Sequence, residues 1–434
     1  MLRLGLVLLL LLPAIGVAQP LLTEDAIVAA AVQRAPELQA IAQRATAQTA
    51  LARQYVGLPD PSVRLTLTGI DPMFRQPPTA MVMAEQALPL GGARSAGSQV
   101  AEAQARAIGA EQPLAEAELA WQARTVFAAW RSVHARAAIL KHHVKMGDDL
   151  ITSMTRQMAT GGVSAARLAR LQAEVERLRV EQESVAHLTA NLAEQVRLWL
   201  GDLPLADPVL TLPDAPTRTD RANEHPVLAR LTAQQVAAQA RASAARATSA
   251  MTLMPGAGLM TGPDMPIGIL VTVGLRWPGF GSGQDRIDGV VAAALADGAA
   301  LTAEKQARAR RIAAAMAQQW ASLQELQVRR EGLRNRVLPL AERAVHAAMP
   351  AVASGTGAAV ELAEAEHRLV DLELQLLTLD DAWLTARARW LWLRDGDPEG
   401  QAMPSAGAMA LPSSAVPEPT PGGMPGMRRV LAVP

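Results

Sequence analysis

Apolar positions recur every seven residues in two stretches of the chain. Leu171, Leu178, Val185, Leu192 and Trp199 fall seven apart, with Leu168, Val175 and Val196 on the adjoining seam; Leu362, Leu369, Leu376, Trp383 and Trp390 keep the same step. Sustained heptads predict helices packed along one another as coiled coils. The stretch 93–158 also reads as helix for most of its length, a rod on the order of 100 Å if unbroken. Elsewhere the period drops to two. Ile267, Ile269, Val271, Val273, Leu275 and Trp277 alternate with Gly268, Leu270, Thr272, Gly274 and Arg276. Val63, Leu65 and Leu67 alternate with Arg64, Thr66 and Thr68, and a second run, 79–88, follows the Pro-rich loop 71–78. Both patterns predict strands with one apolar face and one small or polar face, at the length a membrane barrel uses.

These elements occur twice. Ala35-Pro36-Glu37-Leu38 returns as His225-Pro226-Val227-Leu228 at an offset of 190 residues, and Leu88-Pro89-Leu90-Gly91-Gly92 as Trp277-Pro278-Gly279-Phe280-Gly281 at 189. The glycine turn Ala159-Thr160-Gly161-Gly162 returns as Ala353-Ser354-Gly355-Thr356 at 194, and the two heptad arms are 191 apart. A tandem duplication of helix, two strands and a helical hairpin accounts for this order. The expected boundaries are a first repeat over 19–202, a Pro-, Asp- and Thr-rich linker over 203–220, a second repeat over 221–396, and a Pro-, Gly- and Met-rich tail over 397–434 with the composition of disorder.

The first 18 residues add a destination. Met1-Leu2-Arg3, an apolar run from Leu4 to Val17 and the small-residue site ending at Ala18 read as a signal peptide. The sequence has no Cys, which leaves neither a lipid-anchored cysteine nor a disulfide. No later stretch reaches the ~18 consecutive apolar residues of a membrane helix, so an exported chain that stays in a membrane has to use strands. Four strands are too few, since single-chain barrels start at about eight, and the strands must be pooled between chains. The 41 basic and 41 acidic residues are interspersed, without the basic stripe that nucleic-acid binding needs. Nucleophile elbow, zinc signature and phosphate loop are all missing, so nothing points to an enzyme or a cofactor.

Duplicated halves of this plan behind a signal peptide resemble the TolC family of outer-membrane efflux proteins over roughly residues 20–395. Short stretches carry the likeness further: Gly57-Leu58-Pro59-Asp60-Pro61, the run from Glu85 to Arg94, and the turn Thr160-Gly161-Gly162-Val163-Ser164. The resemblance implies a mostly α chain with a small transmembrane β part. It also implies a homotrimer whose pooled strands make one twelve-stranded barrel in outer-membrane lipid, continuous with an α-helical periplasmic barrel. The duct would be passive and unlipidated, docking on a periplasmic adaptor (membrane fusion protein) and an inner-membrane pump of the resistance-nodulation-division (RND) class. The stretch from Leu58 through Met73, Met81 and Met83 to Pro89 is similar to the branch serving heavy-metal exporters of that class.

The ends of the hairpins hold the candidate site residues. Glu361 and Glu364 lie six and nine residues after Gly355, on one helical face, and Arg167 and Arg170 lie at the same distances after Gly161. The resemblance implies that the glutamates narrow the periplasmic mouth; the arginines are the expected partners across neighbouring hairpins, with local pairs such as Glu364–Arg368 as the plain alternative. The turns, Gly161, Gly162, Val163 and Ser164 in one half and Gly355, Thr356 and Gly357 in the other, are the expected adaptor contact. A metal site is not expected from His134, His142 and His143, because adjacent histidines diverge by ~100° on a helix. Met146, Met154 and Met158 are spaced to pack a seam. The competing reading is a soluble periplasmic coiled-coil adaptor or spacer, which explains the heptads but not two strand pairs flanked by long helices.

Overall fold

A computed structural model describes residues 21–70, 78–159, 161–218, 224–262, 265–278, 281–353 and 359–398. The expected leader, the loop 71–77 with Met73, the turn residues Gly355, Thr356 and Gly357, and the tail from 399 onward lie outside the described residues. The first half runs α1 (Glu24–Arg34), α2 (Pro36–Leu51), a 3-10 turn (Ala52–Tyr55), β1 (Ser62–Thr68), β2 (Thr79–Glu85), β3 (Leu88–Pro89), α3 (Ala93–Gly109), α4 (Gln112–Ala159) and α5 (Ala165–Leu200). The second runs α6 (Pro226–Ala247), β4 (Thr252–Gly262), β5 (Met265–Arg276), α7 (Ser282–Gly332), a π turn (Leu333–Val337), α8 (Leu338–Ala353) and α9 (Ala359–Asp395). Helix, strand pair and helical hairpin therefore occur twice, in the order that the internal repeats predict.

The long arm of the first half is interrupted once. Pro113 has no N–H to give to the carbonyl four residues back, so the chain tightens at Ala110 and Glu111, where Glu111 N–H donates to Ile108 O at 3.0 Å, and restarts as α4. In the second half α7 runs 51 residues, and the helix widens into a π turn just before Pro339, where Leu338 N–H reaches back to Leu333 O. The wider turn relieves the clash between a mid-helix proline ring and the preceding carbonyl.

The core is a string of clusters along α4, each contributed by a different pair of neighbours. Leu114 packs with Val227, Leu228, Leu231 and Ile312; Ala128 with Leu323, Trp383 and Leu384; Leu140 and Val144 with Leu178, Val185 and Val370; Leu150 and Met154 with Val163, Leu168, Val345, Leu362 and Leu369. As α4 ascends in number its partners on α9 descend, so the two helices run in opposite directions. The heptad residues Leu168, Val175, Leu178, Val185, Val196, Leu362, Leu369, Trp383 and Trp390 are all buried, as are many small alanines such as Ala103, Ala123, Ala237 and Ala238 that let helix axes approach closely.

Candidate channel site

The five strands form one antiparallel sheet. β2 pairs with β1 on one side and with β4 on the other, β3 continues the line of β2 along β4, and β5 closes the far side. Both halves of the duplication thus merge into one sheet. The register sets the faces: Leu65, Val82, Leu259 and Ile269 stand directly opposite one another across four strands. Side chains alternate sides along a strand, so Val63, Leu67, Val271, Val273 and Leu275 share that face. The other face carries Arg64, Thr66, Met81, Met83, Glu85, Met254, Gly256, Gly258, Met260, Gly268, Leu270, Thr272 and Gly274, and Arg64 pairs with Glu85 at 3.7 Å.

Burial on this sheet is the reverse of a water-soluble one. Ile267, Ile269, Val271, Val273, Leu275 and Trp277 are 57–81% exposed, while Gly268, Leu270, Thr272 and Gly274 between them are half-buried. With Val63, Leu65, Leu67, Val82 and Leu259, eleven large apolar side chains face outward. At roughly 1.5 kcal/mol each, leaving them in water forfeits on the order of 15 kcal/mol, as much as the whole net stability of a typical domain. A patch of this size marks a surface made to be covered. The inner face is closely built. A Cβ at Gly258 would lie 2.4 Å from Val82 O and 2.9 Å from Met83 Cα, so only glycine fits.

At the far end of the first hairpin, Gly161 adopts φ +79°, a left-handed conformation that suits glycine, and the N–H groups of Gly161 and Gly162 close the end of α4 on Met158 O and Gln157 O. Ser164 caps α5, its hydroxyl accepting from Arg167 N–H at 3.4 Å. Val163 is buried in the cluster that joins this turn to α8 and α9, so of the four expected contact residues it is turned inward while Gly161, Gly162 and Ser164 are exposed. Met154 is buried in the same cluster. Arg167, Arg170, Glu361 and Glu364 are all exposed, and among the described residues no ion pair within the chain joins the arginines to the glutamates.

Behind these exposed charges lies a set of buried ones that the heptad pattern does not announce. His143 on α4, its side chain 2% exposed, sits between two carboxylates of α9: Nε2 is 2.9 Å from Glu373, and Nδ1 is 3.4 Å from Glu366. Burial by itself pulls the imidazolium pKa down, but the two carboxylates outweigh it and carry it up to about 9. His142 faces outward, as the angular spacing of neighbours on a helix requires. A cavity of about 40 Å³ adjoins His143, bounded by Gly147, Glu174, Val175, Glu366 and His367. Further along, Arg131 meets Asp380 at 3.6 Å and Ser132 donates to Asp381 at 2.5 Å. Burial raises the Asp381 carboxyl to about 6. Glu24 of α1 joins Arg124 of α4 at 3.1 Å and Arg387 of α9 at 2.7 Å. Sequence spacing along α4 held a signal for these sites, since Arg131, Ser132 and His143 break an apolar stripe, but their partners lie more than 220 residues away.

No family model and no curated protein matches the chain. Solved structures do. CusC, a protein described for folding and transmembrane channel formation, superposes with a TM-score of 0.66 at 16% identity, over 86% of this chain and 92% of the other. The outer-membrane protein VceC of Vibrio cholerae gives 0.61 at 15% identity over 86% and 96%, and the open MtrE outer-membrane channel of Neisseria gonorrhoeae 0.65 at 14% over 86% and 89%. The chain has the fold of an outer-membrane channel protomer. Matches over 86% of 434 residues have to take in parts of both halves of the chain.

Proposed function

We propose that the chain is one of three identical protomers of an outer-membrane exit duct, a passive, unlipidated and non-enzymatic conduit of an efflux system. The observation that carries this reading is the inverted burial of the sheet, whose exposed face is apolar over four strands. Among the described residues β1 and β5 have free edges, and unpaired backbone groups are not tolerated in lipid. Four strand positions per chain are too few to close a barrel; three copies supply twelve, and each β5 edge then meets a neighbour's β1. The soluble-spacer alternative leaves the apolar face in water and is disfavoured for that reason.

Residues 19–202 and 221–396, joined by 203–220, would form the two repeats of the exported protein. The hairpin ends would reach a periplasmic adaptor and, through it, an RND-type inner-membrane pump, with Gly161, Gly162, Ser164, Gly355, Thr356 and Gly357 as contacts. Glu361 and Glu364 would narrow the pore from each protomer, with Arg167 and Arg170 of adjoining hairpins as their partners. Heavy-metal cations are the cargo favoured by the likeness of the segment around Met81 and Met83 to metal-exporting relatives. The test is extraction from outer membranes in detergent, mass determination and single-channel recording. A detergent-stable trimer with conductance is expected, and the double variant Glu361→Ala with Glu364→Ala is expected to raise the closed-state conductance. A monomer in the soluble periplasmic fraction would defeat the duct.

A further inference from the structure

One carboxylate of the His143 cluster is left over. Glu366 is 9% exposed, and among the described residues neither of its oxygens has a hydrogen-bond partner; His143 Nδ1 stands 3.4 Å from Oε2, outside hydrogen-bond geometry. His143 gives its shorter contact, 2.9 Å, to Glu373. One imidazolium thus faces two carboxylates, and a negative charge stays uncompensated where an unpaired ion is costly. Glu366 lines the cavity of about 40 Å³ between α4, α5 and α9. His367 is the exposed residue of that lining and marks its mouth, 3.2 Å from Glu174 of α5. Glu174 turns Oε1 to Arg177 and His367, and among the described residues nothing engages its Oε2.

The size and chemistry of the cavity narrow what it takes. A water needs about 10–15 Å³ of such space, so there is room for a group of roughly three heavy atoms. A metal ion finds too few ligands: hard cations take about six or more oxygens, and among the described residues no set of three or more His, Asp or Glu is placed to hold one. Water brings hydrogen bonds but no charge. A primary ammonium on a short alkyl stem brings both, with three N–H donors for the carboxylates and a stem that lies against Leu150, Leu171, Val175, Leu178 and Val370. We infer that this cavity binds the ammonium group of a small primary amine, which bridges Glu174 of the first hairpin and Glu366 of the second and so holds the two hairpins together. The consequence rests on the duct reading, since Glu366 is two residues from Glu364 and a bridge there opposes any parting of α5 from α9 near the pore mouth.

The probe is n-propylammonium chloride, titrated calorimetrically near neutral pH into the detergent-purified full-length protein, against tetramethylammonium chloride, which carries the charge without an N–H. Saturable binding of propylammonium alone is expected, and equal heats from the two salts overturn the site. Glu366→Gln keeps the volume but removes the charge and is expected to weaken binding by about tenfold or more. Ala363→Leu fills the cavity without touching a charge and is expected to abolish binding. Unchanged binding in either variant overturns the inference. Should the variants fail to assemble, hydrogen exchange of the wild type decides instead: propylammonium must slow it over 143–150, 171–178 and 363–370, and equal exchange with and without the amine overturns the site. Conductance without amine reports separately on the duct. Its loss would defeat that reading while leaving the binding result interpretable, because every group of the cavity belongs to one chain.

Discussion

Raising the pH removes the proton that holds His143 between Glu366 and Glu373, and the structure sets both the direction and the size of the effect. The imidazole takes up its proton near 6.5 in an unfolded chain and near 9 in the folded one. A folded pKa above the unfolded value means that the native state binds the proton more tightly. The stabilisation is therefore fully present below pH 6.5, declines above it and is lost as pH passes 9. At about 1.36 kcal/mol per pH unit, the gap corresponds to roughly 3 kcal/mol. His143→Leu removes the response altogether and leaves Glu366 buried without a cation, a loss of about 3–5 kcal/mol at neutral pH. The assay is the thermal midpoint of the detergent-solubilised protein from pH 6 to 10, wild type against variant. The difference between the two should be level near pH 6, shrink between about 6.5 and 9, and level off above. A difference independent of pH, or one that grows toward pH 10, would refute the assignment of the proton to this cluster.

Gly258→Val places a side chain where backbone oxygen and Cα of β2 already lie, and should abolish the β2–β4 register and with it the assembled barrel, read as loss of the detergent-stable oligomer. Val271→Arg puts a charge on the outer face, at a cost of about 2–4 kcal/mol near the middle of a bilayer, and should reduce membrane insertion in proportion; normal insertion would show that this face does not meet lipid. Asp381→Asn keeps an acceptor for Ser132 but removes a buried charge. Because the Asp381 pKa is raised from 3.8 to about 6, the folded state holds its proton more tightly than the unfolded one, so the carboxylate becomes a growing burden as pH rises from 3.8 to 6 and a constant one above. The variant should gain thermal stability over the wild type at pH 8 and little at pH 3.5, and an equal gain at both would argue against a buried, protonatable Asp381.

Periodicity made the architecture legible. Heptads identified both return arms because one helical stripe is buried over most of its length, with Val185, Val196, Trp383 and Trp390 fully inside and Leu171, Leu192, Trp199 and Leu376 half-buried. Alternation identified β5 and β1, and the exposure of their apolar set agrees with the membrane reading of those strands. Pairing was not legible: nothing in the alternation of 79–85 says that its second neighbour is 256–261, from the other half of the chain. The break at Ala110 and the π turn at Leu333 follow from Pro113 and Pro339, yet the helical pattern continues through both. At the hairpin end the charges Glu361, Glu364, Arg167 and Arg170 could be seen as exposed polar positions on helical faces. His143, Arg131 and Asp381 could not be read as a buried network, because a charge beside an apolar stripe looks the same whether it reaches solvent or meets a counterion from a distant helix.

That distinction bears on how the helices find one register. A heptad seam looks alike after a slip of seven residues, so apolar packing alone leaves α4 and α9 a set of near-equivalent alignments. The buried ion pairs keep the seven-residue step on α9, from Arg387 to Asp380, Glu373 and Glu366, but the sign of the charge changes along it, and on α4 the step is broken between Arg131 and His143. Going up α4, Arg124, Arg131 and His143 are spaced by 7 and then 12 residues; their α9 partners, Arg387 through Glu24, then Asp380, then Glu373 and Glu366, descend in matching order. A slip of one heptad one way would bring Arg387 in place of Asp380 opposite Arg131, and the other way would take one of the two carboxylates from His143. Each buried charge left without its partner costs several kcal/mol, whereas the shifted apolar contacts would be largely replaced. Buried pairs need not raise net stability to act in this way, since what they supply is the gap between the native alignment and its neighbours. On this account the polar interruptions of the α4 stripe are what make a repetitive seam specify one structure.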